Sequence, residues 1–356
     1  MKLMECILFK NGKKKPNAEG NIPIYGGNGI LGYTNEFNSE KNSIIIGRVG
    51  AYCGCVYKED NKCWISDNAI VGYPKENYDY LFMYYYLKSK NLNSLHIGSG
   101  HPLMTQDILN NIEVDLPNYD IQKKIGILLN RLDNKIKLNN EINNNLYEMC
   151  NALYHQLLDE NEESIEYKTI GEIAKKVVTG KTPSTKNKEY WDGNIPFITI
   201  PDMHNQVFTI NTERCINNEG AKSLIPKNSI SVSCIATVGL VSINDKASQT
   251  NQQINSVVIE NDYDLYYLFE FLSEQEQYMK SIAGGSTTYN INKNTFENIQ
   301  VPYLSEELLI EYDKKARPMF EKIKSNQISN NTLSQLRDTL LPRLMNGEID
   351  LDSIEI

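Results

Sequence analysis

Two stretches of the chain space their apolar residues in the same way. Over residues 111–158, Ile121, Ile125, Leu128, Leu132, Ile142, Leu146, Met149 and Leu153 fall mostly three or four apart, interrupted by polar Lys135 and Asn139. Over residues 298–345 the stripe is Leu308, Tyr312, Met319, Ile323, Leu333, Leu336 and Leu340. At 3.6 residues per turn such spacing draws one apolar line along a helix, the seam of a paired helix rather than an all-round buried one. The first stretch predicts a helix over residues 120–158, roughly 55–60 Å long at about 1.5 Å per residue. In the second, Pro318 stands where the first has Arg131 and predicts a bend or a late start, because proline has no N–H for the preceding turn. Neither stripe can stay in water. Each predicts the other as its partner through Ile125, Leu132, Ile136, Leu146 and Leu153 on one side, and Met319, Ile323, Leu333, Leu336 and Leu340 on the other. The alternative is that each helix packs on its own globular segment.

The two stretches superpose without a gap at an offset of 187 positions, Asn111-Ile112-Glu113-Val114 falling on Asn298-Ile299-Gln300-Val301. Ahead of each lies a globular pattern. Residues 22–25, 43–50 and 69–73 read as strands, and residues 79–90 as a helix whose Tyr84 and Tyr85 suit a core better than a base-stacking platform. The same wording returns later. Gly193-Asn194-Ile195-Pro196 repeats Gly20-Asn21-Ile22-Pro23, Asn228-Ser229-Ile230 repeats Asn42-Ser43-Ile44, and Val238-Gly239 repeats Val49-Gly50. Tyr267-Leu268-Phe269 repeats Tyr80-Leu81-Phe82, and Gly284-Gly285-Ser286 lies where the first half has Gly98-Ser99-Gly100. A repeat of half the chain is far longer than the roughly 20–50 residues of a solenoid. It predicts a duplicated α+β fold: two similar α/β domains, each followed by a long helix, the helices pairing as a coiled coil. The expected boundaries are 1–117 and 166–303 for the domains, 118–165 and 304–349 for the helices, and 350–356 for a tail. Like scaffolds with unlike loops suit a protein that reads two different things.

Composition narrows the class. The 356 residues suit two or three domains, and 40% hydrophobic with 23% charged residues describe a soluble globular chain. No apolar run approaches the roughly 20 residues of a membrane span, the start opens no signal peptide, and seven scattered cysteines suit a reducing cytoplasm. Cys53, Cys55 and Cys63 lack a fourth ligand at zinc-finger spacing. The net charge of −9 is uneven: residues 1–117 carry 12 basic and 12 acidic side chains, while residues 118–165 carry 5 and 8. Phosphate binding needs a local basic face rather than a basic total, so the sum neither supports nor excludes DNA.

Catalytic motifs fail on inspection. Gly27 to Gly32 spells G-x-G-x-x-G, but a loop-like stretch follows where a dinucleotide site needs a helix. Gly180-Lys181-Thr182 resembles the end of a phosphate loop, yet Lys175 stands where the first glycine belongs and Pro183 where the helix should begin. There is no Pro-Pro for an amino-methylation motif, no acidic-x-Lys partner for Pro201-Asp202, no metal spacing among the four histidines and no nucleophile elbow. No cofactor and no metal are expected.

Several segments together resemble a family. Gly98-Ser99-Gly100-His101-Pro102, Ile112-Glu113-Val114-Asp115-Leu116-Pro117, Gln122-Lys123-Lys124-Ile125 and Leu132-Asp133-Asn134-Lys135-Ile136 are similar to the conserved region of specificity subunits of type I restriction–modification systems. The tail from Leu336-Arg337-Asp338-Thr339-Leu340-Leu341-Pro342-Arg343 to Leu344-Met345-Asn346-Gly347-Glu348-Ile349 resembles that family's second conserved region. Gly180-Lys181-Thr182-Pro183, Tyr190-Trp191 and Gly193-Asn194-Ile195-Pro196-Phe197 look like the opening of a target recognition domain, and Tyr25-Gly26-Gly27-Asn28-Gly29-Ile30 like one of its loops. Two departures stand out: Ile121 replaces the usual glutamate before the glutamine, and Glu306-Glu307-Leu308 has no glutamine. The resemblance implies a non-catalytic subunit whose two domains each read half of a bipartite, asymmetric double-stranded DNA target. It also implies two antiparallel helices, paired about a pseudo-two-fold and acting as spacer, two docked methyltransferase (modification) subunits, and restriction subunits where present. A protein–protein scaffold and a self-sufficient modification enzyme are the other classes.

DNA contacts need Lys or Arg for phosphates and Arg, Asn, Gln, Ser or Thr for base edges. In the first domain these are Lys13, Lys15, Tyr25, Asn28, Arg48 and His101; in the second, Lys181, Thr182, Lys186, Lys188, Thr237, Gln252, Gln253 and Tyr289. Each has a bland alternative as a solvated loop residue. The Lys13-Lys14-Lys15 run in particular is as consistent with solvent as with phosphate.

Overall fold

A computed structural model of the chain describes residues 1–17, 19–98, 100–204, 206–284 and 289–349. The tail at 350–356, Ser99, and Gly285-Ser286 of the glycine repeat lie outside them. The chain forms two compact units, one of Met1–Ile136 with the chain from Thr332, the other of Lys137–Asn331.

The first unit contains β1 (Ile7–Asn11), β2 (Ile22–Gly26), β3 (Gly29–Thr34), β4 (Ser43–Gly47), β5 (Val56–Glu59), β6 (Trp64–Ile65) and β7 (Ala69–Pro74). One antiparallel sheet has the order β1-β7-β4-β5, and a smaller one β3-β2-β6. Every residue of β4 is buried because both faces are covered. Ile44 and Ile46 face the core around Phe82 and Tyr85, while Ile45 joins Tyr25, Ile65 and Val71 on the other side. The helix Tyr80–Ser89 starts where Asp79 accepts a hydrogen bond from the Phe82 N–H, 2.8 Å away. Its Tyr84 and Tyr85 are core residues, as their spacing indicates. Strand β1 precedes the Lys13-Lys14-Lys15 run and is not among the strands that the pattern predicts. Its alternation of buried Ile7 and Phe9 with exposed Leu8 and Lys10 is too short a signal to stand out.

The second unit contains β8 (Glu166–Thr169), β9 (Ala174–Thr179), β10 (Ile195–Ile198), β11 (Phe208–Thr209), β12 (Arg214–Ile216) and β13 (Leu224–Ile225). After these come β14 (Ile230–Ser233), β15 (Val241–Asn244), β16 (Ser248–Thr250), β17 (Ile254–Ile259) and β18 (Gln300–Tyr303). Its main sheet, β9-β17-β14-β15, repeats the order of the first unit and adds β11 at the edge. The small sheet repeats as well: β2 pairs parallel with β6 and antiparallel with β3, and β10 does the same with β16 and β12. Duplication is thus written in strand order and direction.

The long helices are Tyr119–Glu160 and Glu306–Met345. Within the first unit, Ile121, Ile125, Leu128 and Leu129 share a core with Leu340, Leu341 and Leu344, and with Phe82 and Tyr85. Within the second, Leu146, Cys150, Leu153 and Tyr154 share one with Leu309, Tyr312, Met319, Phe320 and Ile323, and with Tyr266–Leu268. In each unit, numbers rise along one helix as they fall along the other, so the pairing is antiparallel. The expectation that each helix has the other as its partner is met. The alternative of each helix on its own domain is not, because Leu146 and Tyr154 share a core with Tyr266 and Leu268, and Leu340 and Leu344 share one with Phe82 and Tyr85.

Three details differ from the apolar seam. Leu336 is 45% exposed, and the neighbouring Arg337 makes the crossing instead, its Nη1 2.6 Å from the Asp133 carboxylate. Leu132, Ile136 and Leu333 are only half-buried. Asn139, which interrupts the stripe, is 2% exposed and donates to Asn330 at 2.8 Å; Asn330 donates to Asn140 at 2.7 Å and Asn326 to Asn143 at 2.8 Å. The second helix also runs through Pro318 from a start at Glu306. Proline forfeits one bond to the Lys314 carbonyl, and both residues lie on the exposed face, where water can replace it. In the second unit's core, Glu270 is fully buried. One carboxylate oxygen accepts from Asn151 at 3.3 Å, and the other has no partner among the described residues.

Candidate nucleic-acid interface

In the first unit five segments converge beyond the ends of β1, β4 and β7. Leaving β1, Gly12 donates to the Ala69 carbonyl at 3.0 Å, and a methyl group there would overlap the Ser66 carbonyl, so only glycine fits. Lys13 follows, bridged to Ser66 and exposed. Leaving β4, the Arg48 N–H donates to the Asn68 carbonyl at 2.9 Å, while its own carbonyl accepts from Met104 at 2.8 Å. Gly50, at φ +75°, donates to the Pro102 carbonyl at 3.1 Å. The β2–β3 turn completes the group, with Gly27 against the carbonyls of Val49 and Asn68 and Asn28 exposed at its tip.

The second unit builds the same cluster. Gly180 donates to Ile254 at 3.1 Å, and a methyl group on it would overlap the Asn251 carbonyl. Cys234 donates to Gln253 at 2.8 Å and accepts from Ile291 at 2.9 Å; Ala236, at φ +64°, donates to Tyr289 at 3.0 Å. These bonds pair Lys13 with Lys181, Arg48 with Cys234, Gly50 with Ala236, Pro102 with Tyr289, and Asp67-Asn68 with Gln252-Gln253. They also correct one sequence pairing. Gly239 donates to Ser233 at 2.9 Å as Gly54 donates to Gly47 at 2.8 Å, so Val238-Gly239 corresponds to Cys53-Gly54, not to Val49-Gly50. The backbone is held constant while the outward side chains change.

Sequence comparison supplies the context. The chain matches the type I restriction modification DNA specificity domain twice, over residues 7–148 and 162–334. It belongs to the type I restriction–modification DNA specificity family. The HindI specificity subunit of Haemophilus influenzae is 34% identical, over 70% of this chain and 71% of that one. The MjaIX specificity subunit of Methanocaldococcus jannaschii is 35% identical over 44% of this chain and 40% of that one. The crystal structure of a type I restriction–modification S subunit from M. genitalium has the same fold, with a TM-score of 0.69 at 19% identity, covering 97% of this chain and 95% of that one. No helix among the described residues is long and apolar enough to cross a membrane.

The candidate contacts of this specificity-family chain divide three ways. Lys13, Asn28, Arg48 and His101 come together in the first cluster, and Lys181, Thr182, Thr237, Gln252, Gln253 and Tyr289 in the second. Lys15 lies beside Gly32 on β3. Lys186 and Lys188 sit exposed on the excursion leading to Trp191 and make no hydrogen bond to the cluster among the described residues. Tyr25 is the correction: it is 7% exposed within a core, its hydroxyl donates to Glu59 at 3.0 Å, and burial, with the Glu59 charge, pushes its pKa up. It lies on β2 beside the turn that carries Asn28, with its hydroxyl engaged by Glu59.

The electrostatics of the two clusters differ. Arg48 donates from Nη1 to the Asp67 carbonyl at 3.3 Å, and its buried Nε has no partner among the described residues. At the equivalent place burial pushes the Cys234 thiol up to about 11, so it stays neutral. In the second cluster Thr182 donates to the Gln252 side-chain carbonyl, and Asn251 donates to that of Gln253 at 3.1 Å. Both glutamine amide N–H groups are left turned away from these bonds, as donors. Sequence reading missed Asp67 and Asn68, which have no counterpart at the helix offset.

Proposed function

We propose that the chain is the DNA-reading subunit of a type I restriction–modification complex in the cytoplasm. Each loop cluster takes one half of a bipartite, asymmetric duplex target, within recognition domains spanning 1–117 and 166–303. The paired helices fix the number of unread base pairs between the halves. Two modification subunits dock on this frame and transfer the methyl group; restriction subunits join where the system has them. The chain reads and positions, and does no chemistry itself.

The observation that supports this most is the pair of matching clusters with unlike side chains: one backbone, two recognition surfaces. Lys13 and Lys181 at equivalent positions suit phosphates, which carry no sequence information, while Arg48 against Gln252 and Gln253 would read different base edges. Selection from random duplexes by the chain with its modification subunits should return a two-part consensus with a fixed gap. A single continuous consensus, or none, would contradict the proposal.

A further inference from the structure

The turn between β6 and β7 has a property that the reading of two half-sites does not by itself require. Its tip, Asp67-Asn68, is exposed and occupies the place that Gln252-Gln253 occupies in the second unit. The backbone of the tip is pinned on both sides: the Asn68 N–H donates to Ser66 Oγ at 3.3 Å, the Asn68 carbonyl accepts from the Arg48 N–H at 2.9 Å, and the Asp67 carbonyl accepts from the Arg48 guanidinium at 3.3 Å. The Asp67 carboxylate makes no hydrogen bond and no ion pair among the described residues. A carboxylate on a surface that meets DNA repels the phosphates, so it weakens binding unless it accepts from a base. The donors at base edges in the major groove are the exocyclic amino groups, N4 of cytosine and N6 of adenine.

Resting on the proposed role in DNA reading, we infer that Asp67 reads a base amino group in the first half-site, an acceptor where the second unit presents the amide donors of Gln252 and Gln253. Arg48 holds the turn in place, so the pair offers donor and acceptor side by side.

The test uses the complete chain with its modification subunits and maps the bases methylated in genomic DNA, beside competition binding on matched and unrelated duplexes. Asp67→Asn is near-isosteric at an exposed site, and Asp67→Ala removes the group altogether. In Asp67→Ala, discrimination at one position of the first half should fall by about tenfold, the scale of one lost base contact; Asp67→Asn, which keeps an acceptor oxygen, should lose less. The second half should be unaltered, and affinity for unrelated duplex should hold or rise as a negative charge leaves. The identity of the relaxed position, cytosine or adenine, distinguishes the two amino groups. An unchanged motif, or equal weakening of both halves, overturns the inference. A wild-type complex without a two-part motif overturns instead the DNA-reading role on which it rests.

Discussion

The side-chain amide of Asn139 donates to that of Asn330 across the two long helices, 2.8 Å apart, at a point where the apolar seam is interrupted. Asn139 is buried and Asn330 half-buried, and the bond between them satisfies a polar group that the seam otherwise shuts away from water. Asn330→Ala strands a buried donor and should cost about 1–3 kcal/mol. Replacing both Asn139 and Asn330 by leucine removes the polar requirement and should recover most of that loss. Urea unfolding of the three variants checks both; a double variant less stable than the single one would show that the amides do not act as a pair.

Glu270 makes stability depend on pH. Burial pushes its pKa up to about 8, the Asn151 hydrogen bond opposes that rise, and the Glu274 carboxylate adds to it; Cys150, Tyr147 and Tyr154 line the site from the first long helix, and Tyr312 from the second. The folded state therefore keeps a proton that the unfolded chain gives up at ordinary carboxylate pH. Its contribution is complete below about pH 4.5 and is lost as pH rises through about 8, by at most roughly 5 kcal/mol. Thermal unfolding should show wild-type Tm falling over this window relative to Glu270→Gln. Parallel curves for the two proteins would place the proton elsewhere.

Arg48 and Lys13 should separate base reading from phosphate binding. Arg48→Ala should weaken binding only to duplexes carrying the first half-site, by about 1–3 kcal/mol. Lys13→Ala should weaken all duplexes alike and reduce the salt dependence of binding by about one ion. Salt titrations on matched and unrelated duplexes measure both. Uniform loss for Arg48→Ala would make it a phosphate ligand.

The helices were the most legible part of the sequence, because their spacing must be kept for the seam to close and the offset of 187 holds through both. The loop clusters were not. The offset is 168 between Gly12 and Gly180, 173 between Ile24 and Phe197, and 185 between Asn68 and Gln253, since insertions such as the excursion carrying Lys186 and Lys188 lengthen the second copy. Backbone bonds preserve the scaffold through these changes while the residue code does not, so Asp67 and Asn68 give no signal at the helix offset and Val238-Gly239 resembles Val49-Gly50 instead of its structural counterpart Cys53-Gly54. Tyr25 misleads for another reason: an aromatic beside a glycine turn serves as a strut or as a reader, and only the Glu59 hydrogen bond decides. Asn139 reads as a flaw in the seam until Asn330 is found opposite.

Methylation mapping with Gln252→Ala and Gln253→Ala combined, in the chain with its modification subunits, addresses two clusters reading two separate elements most directly. The first half of the methylated motif and the gap should remain as in wild type, and only the second half should relax. Relaxation of both halves together, or a motif unchanged at every position, would contradict two independent readers on one duplicated frame.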